Sequence, residues 1–175
     1  MSHWKGPVPS IPSILLFDDT GFQNFTSAGQ FHTWDTQQHK TSHFHYKLDS
    51  DNVLLNNNQH NMYEVTFECS FYTQLSGSII IYSELYKNGT AINGSRTYTS
   101  SVGSGQGTTT NGNVSIHFLL YLKGGDKIQV KTITSNAAAT YSYTKSSRLM
   151  INFVPIRGWD NSKAGRIEYK GKVMR

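Results

Sequence analysis

The sequence predicts an all-β chain, an antiparallel sandwich or jelly roll, on three observations. First, the runs Ser78 to Asn93 and Val114 to Thr132 are rich in Ile, Val, Tyr and Leu, and they break at Asn88-Gly89 and at Gly124-Gly125-Asp126, residue types that turn a chain at positive φ. Second, apolar residues elsewhere recur with the period of two that gives a strand one buried face. Third, 13% aromatic and 15% charged residues, with abundant Ser, Thr, Asn and Gly, suit strands and turns, and the Ala-, Glu- and Leu-rich periodic segments of a helix bundle are missing. At 175 residues the chain has room for one core, not for two full domains with a linker.

Taken in order, residues 1–30 read as an extended arm. Pro7, Pro9 and Pro12 fix φ and keep the residues before them out of helical geometry. The short run from Ile14 to Phe17 is expected to add as an edge strand. With Trp4, Leu15, Phe17, Phe22 and Phe25 the arm carries more apolar surface than a free linker, so it is expected to lie on its own domain or on a neighbour.

The jelly-roll domain is placed at residues 31–156. In His43 to Leu48, Phe44, Tyr46 and Leu48 share one face and His43, His45 and Lys47 the other. In Tyr63 to Phe71, Tyr63, Val65, Phe67, Cys69 and Phe71 alternate with Glu64, Thr66, Glu68 and Ser70. Val114, Ile116, Phe118, Leu120 and Leu122 repeat the pattern, Ile128 and Val130 continue it, and Arg148 to Val154 supplies the last strand. The Ser-, Thr- and Gly-rich stretch from Thr99 to Gly112 is expected as an exposed loop. Residues 157–175 form a basic C-terminal arm that holds +4 of the formal +5 charge, with Arg157, Trp159 and Arg166 as candidate contacts.

Alternation fails in one informative place. Ile79 to Tyr86 is apolar on both faces, and Leu119 and Tyr121 sit on the outer face of their strand. Outward apolar residues on central strands point to a subunit interface, with Ile80, Tyr82, Tyr86, Leu119 and Tyr121 as candidates; cover by arms or loops of the same chain is the alternative.

In their order along the chain, Met62-Tyr63-Glu64-Val65-Thr66-Phe67, Leu85-Tyr86-Lys87-Asn88-Gly89 and Leu120-Tyr121-Leu122-Lys123-Gly124-Gly125-Asp126-Lys127-Ile128-Gln129-Val130 resemble the aromatic strand, the Lys-Asn-Gly hairpin and the Gly-Asp turn of the C1q/TNF-like jelly-roll superfamily. Domains of this shape recur in viral and phage structural proteins. The resemblance implies a homotrimer with aromatic residues along the threefold contact.

No constellation points to catalysis. His43 and His45, with Asp35 or Asp49, form only a weak metal pattern, and Asp49-Ser50-Asp51-Asn52 lacks the glycine and distal glutamate of a calcium loop. Gly103-Ser104-Gly105-Gln106-Gly107 lacks the Lys-Ser/Thr and the helix of a phosphate loop. Cys69 alternates with core residues and reads as a small buried hydrophobe. No cofactor and no metal are expected, and the N-terminal apolar run is too short for a membrane span.

The sequence thus predicts a non-enzymatic virion structural component, a capsid-associated or decoration protein, assembling as a trimer or within a shell. Its expected partners are itself and neighbouring capsid or virion subunits, with nucleic acid at the basic tail a less favoured partner. Two alternatives are a receptor- or glycan-binding fibre head, with Trp34, Tyr98, Tyr141 and Tyr143 as candidate ligand contacts, and a secreted C1q/TNF-like ligand.

Overall fold

The computed structural model describes residues 11–18, 27–48, 50–55, 61–134 and 141–154, excepting the side chains of 71–79, 100–111 and 141–145. Every regular element among them is a strand: β1 (Ser13–Asp18), β2 (Gln30–Phe31), β3 (Thr36–Lys40), β4 (Phe44–His45), β5 (Val53–Leu55), β6 (Asn61–Lys87), β7 (Thr90–Ala91), β8 (Thr97–Leu122), β9 (Lys127–Thr134) and β10 (Tyr141–Phe153). All pairings are antiparallel.

Two of these strands are long enough to serve both layers of a sandwich. The β6–β8 register breaks between Leu75 and Gly77, where the paired stretch jumps from Thr108 to Gly103. Residues 61–75 of β6 lie between β10 and residues 108–122 of β8, and β10 leads on through β1 to β3. Residues 77–87 lie between β9 and residues 97–103 of β8, and β9 leads on through β5 to β4. The result is a jelly roll of two antiparallel sheets in which β8, paired with β6 alone among the described residues, forms an edge of both layers. Period-2 alternation then fills the space between them with Tyr63, Val65, Phe67, Ile81, Leu85, Val114, Ile116, Val130, Leu149 and Ile151, all buried.

Three expectations are corrected here. Ser13–Asp18 is not an edge strand on an arm. It pairs with β10 on one side and β3 on the other, and Ile14 and Leu16 are fully buried, so this part of the segment belongs to the domain core. Thr99 to Gly112 is strand backbone within β8 rather than a loop, since pairing needs only the partner β6 and places no demand on side-chain hydrophobicity. Leu48 does not continue the face of Phe44 and Tyr46. The strand stops at His45, the chain turns where the Ser50 amide donates to the Lys47 carbonyl at 3.0 Å, and Leu48 is left exposed.

The turns that carry the sequence resemblance interlock. Asn88 (φ 53°) and Gly89 (φ 80°) form the two-residue hairpin from β6 to β7, the turn whose twist matches paired strands. Gly125 (φ 88°) occupies the positive-φ position of the turn closed by the Asp126 amide on the Lys123 carbonyl at 3.0 Å. Asp126 joins the two. Its carboxylate accepts from Lys87 Nζ, Asn88 Nδ2 and the Lys123 amide, each at 2.8 Å, while Asn88 Oδ1 accepts the Lys127 amide at 2.8 Å. Burial raises the Asp126 pKa, but the bonds from Lys87, Lys123 and Asn88 and the Lys87 charge outweigh it and hold the carboxyl below the usual aspartate range.

A second polar staple lies inside the sandwich. Register partners Ser83 and Thr132 share a 2.6 Å hydroxyl contact, and His32 Nε2 meets Thr132 Oγ1 at 2.7 Å, pinning the segment after β2 to β9. His32 is fully buried against Phe67, and desolvation lowers its pKa to about 3, so the ring is neutral in the fold. The hydroxyl and imidazole groups are sealed from solvent, which makes the set a structural network.

Candidate functional site

Two surfaces stand out, one on each layer. Strand alternation sends Leu119 and Tyr121 of β8 to the outer face of the first layer, across from Glu64 and Met62 of β6. Leu15 and Met150 are also register partners on that face. Leu119 is 59% exposed and Tyr121 and Met62 beside it are half-buried; Met150 and Leu15 form a second half-buried apolar pair on the same face, with Glu64, Asn152 and Thr66 between the two groups.

Ile80, Tyr82 and Tyr86 lie on the outer face of the opposite layer. The five interface candidates therefore form two groups that no single flat contact holds together. The chain itself covers part of the second group. Phe31 packs edge-on to Tyr86 with centroids 5.2 Å apart, Lys131 Nζ sits 5.4 Å from the Phe31 centroid, and Tyr98 lies over Tyr82 at 5.7 Å. Ile80 stays 47% exposed.

Beside Tyr82 the same face holds a polar hollow. Glu84 points outward yet is buried, because Arg96 forks onto it: Arg96 Nη2 donates to Oε1 at 2.9 Å and to Oε2 at 3.1 Å, with Nε 3.3 Å from Oε1. The Arg96 guanidinium also rests 4.4 Å above the Tyr82 ring. Tyr98, 63% exposed, closes one side, and the turn at Asn93 and Gly94 closes the other. Ser95 Oγ fixes that turn by donating to the Ile92 carbonyl at 2.8 Å and accepting the Leu85 amide at 3.0 Å.

The other candidates fall differently. Trp34 does not lie at the surface where a ligand contact was expected. It is fully buried, its amide 3.1 Å from the Tyr46 hydroxyl and its ring beside His32 and Tyr46. Tyr141 and Tyr143 pair through their backbones with Gln74 and Tyr72, and their side chains lie outside the described residues. Of the arm contacts, Leu15 and Phe17 are half-buried on β1; Trp4, Phe22, Phe25, Arg157, Trp159 and Arg166 lie outside the described residues. His43 is in a turn with Nδ1 3.2 Å from Thr41 Oγ1, so it shares no strand face with His45. Among the described residues, no three His, Cys, Asp or Glu side chains cluster for a metal. Cys69 is buried, and desolvation first, then the charge of Asp18, raises its pKa, leaving the thiol protonated. The sequence reading missed Glu84, Arg96 and Asp126. The signal for Asp126 was available, since a lone acid beside a Gly-Gly turn and a Lys-Asn-Gly turn elsewhere are complementary in charge and hydrogen bonding.

No protein-family model matches the chain, and no curated protein matches its sequence. Solved structures do. The globular domain of zebrafish complement 1qA protein is similar over 85% of this chain and 99% of its own, at 11% identity and a TM-score of 0.51. Murine APRIL is similar over 83% of this chain and 100% of its own, at 12% identity and a TM-score of 0.56. The chain has a C1q/TNF-like jelly-roll fold, as the order of its turn motifs implied. Among the described residues no helix is long and apolar enough to cross a membrane.

Proposed function

We propose that the chain is a non-enzymatic structural subunit that associates with itself as a homotrimer, and that it serves in a virion as a capsid-associated or decoration protein. The observation that carries the association is the exposed Leu119 on the edge strand β8, next to Tyr121 and Met62. A ring of three uses two different surfaces of each subunit. The β8 edge of one copy supplies the first, and the outer face around Met150 and Leu15 of the next supplies the second. The C1q/TNF-like fold supports the number three, and Trp4, Phe22 and Phe25 together with the basic tail favour a setting among neighbouring subunits.

Sedimentation velocity on the full chain tests this reading. Leu119→Lys keeps the subunit folded, because Glu64 lies directly across the strand pair, but places a charge in the contact. The variant is expected to sediment as a monomer with an unchanged circular dichroism spectrum, whereas Tyr86→Ala, on the other layer, leaves the trimer intact. A Leu119→Lys protein that stays trimeric removes this face from the account.

A further inference from the structure

We propose that the hollow between Arg96 and Tyr98 is a binding site for a neutral saccharide. The hollow is an open depression of about 470 Å³, and its lining includes Glu84, Ile92, Asn93, Gly94, Arg96 and Tyr98. Three features select the ligand class.

The first is charge. Glu84 and Arg96 neutralise each other through a forked ion pair, so a phosphate or carboxylate arriving at Arg96 meets the Glu84 carboxylate, and a cation arriving at Glu84 meets the guanidinium. A hydroxyl has no such conflict, since it donates to the carboxylate and accepts from the guanidinium with equal ease. The second is the exposed Tyr98 ring, an apolar plate at the rim whose natural complement is the C–H face of a pyranose. Third, the site is held in advance of binding. Arg96 is fixed by Glu84 and the Tyr82 ring, and the Asn93-Gly94 turn is pinned by Ser95, so little ordering accompanies a ligand's arrival. Gly94, at φ 81°, presents bare backbone, and a Cβ there would meet nothing within 4 Å, which leaves that wall open to solvent and ligand. The hollow belongs to a single subunit and faces away from the Leu119 surface, so its occupancy does not depend on the oligomeric reading.

The test is a glycan array of neutral and acidic oligosaccharides probed with the full chain, followed by calorimetric titration of the best neutral binder. Neutral glycans are expected to bind. Tyr98→Ala is expected to weaken the best of them about tenfold, and Tyr98→Phe, which keeps the ring and loses only the hydroxyl that bonds Arg96, to weaken it less, with both variants keeping a cooperative melt because the core is untouched. An array with no neutral binder, binding confined to acidic glycans, or a Tyr98→Ala protein that binds like wild type each overturns the proposal. None of these results bears on subunit mass, so the trimer is judged separately.

Discussion

Replacing Asp126 with alanine tests the interlock that ties the end of β6 to the start of β9. The carboxylate, 11% exposed, accepts three bonds at 2.8 Å, one of them from the Lys87 ammonium. The substitution removes all three acceptor contacts and leaves the Lys123 amide and Asn88 Nδ2 to water, while Asn88 Oδ1 keeps the Lys127 amide. At roughly 1–1.5 kcal/mol for each bond to a charged acceptor, discounted because Lys87 is partly exposed and Asn88 and Lys123 are exposed, the loss comes to about 2–3 kcal/mol. For a chain of this size that lowers Tm by roughly 4–12 °C. Urea unfolding followed by tryptophan fluorescence reads the difference directly. Asp126→Asn should recover less than half of it, because the new amide points a donor at Lys87 and Lys123 or at Asn88 in either orientation. The effect is also pH-dependent. A carboxyl held below its unfolded value of about 3.9 contributes fully above that pH and loses its contribution as pH falls through the lower folded value. The gap between wild type and Asp126→Ala should therefore narrow in strong acid. A cost within about 0.5 kcal/mol, the range of a featureless surface change, or a gap that does not narrow in strong acid, refutes the interlock.

Two further outcomes are expected. His32 is neutral in the fold with a pKa near 3, while the unfolded chain protonates it below 6.5; its contribution is complete above 6.5 and declines as pH falls. Wild type should lose about 1.4 kcal/mol per pH unit between those limits, and urea midpoints of His32→Gln should show a flatter slope; equal slopes would contradict the assignment. Gly29, at φ 78°, has no room for a Cβ, which would come 2.5 Å from Ile133 Cγ1 and 2.6 Å from Lys131 Cε. Gly29→Ala should cost about 2–3 kcal/mol from positive φ and overpacking together, read by thermal melting, and an unchanged Tm would show that the β2 segment shifts freely.

The strongly alternating strands were legible from the sequence, and so were the turns. Tyr63 to Cys69 and Val114 to Leu122 bury the faces their periodicity assigned, and Asn88-Gly89 and Gly125 take the positive φ their types favour. What escaped the sequence depended on partners. Residues 99–112 lack apolar alternation because small polar side chains suffice when the backbone pairs with β6. Ser13–Asp18 looked like arm because nearby prolines dominate its local signal, whereas its place between β3 and β10 is set by residues far along the chain. Trp34 stands in polar sequence surroundings, and its burial depends on Tyr46 folding back against its ring from the next segment. The polar hollow was half visible: Tyr98 was singled out for its ring, but Glu84 sat in an apolar run and Arg96 in a loop, with nothing local to join them.

Light scattering on the purified full chain at moderate salt tests the central claim of self-association most directly. A single species of three times the 19.7 kDa chain mass is expected. A stable monomer would contradict it, leaving Leu119 an ordinary exposed residue on an edge strand.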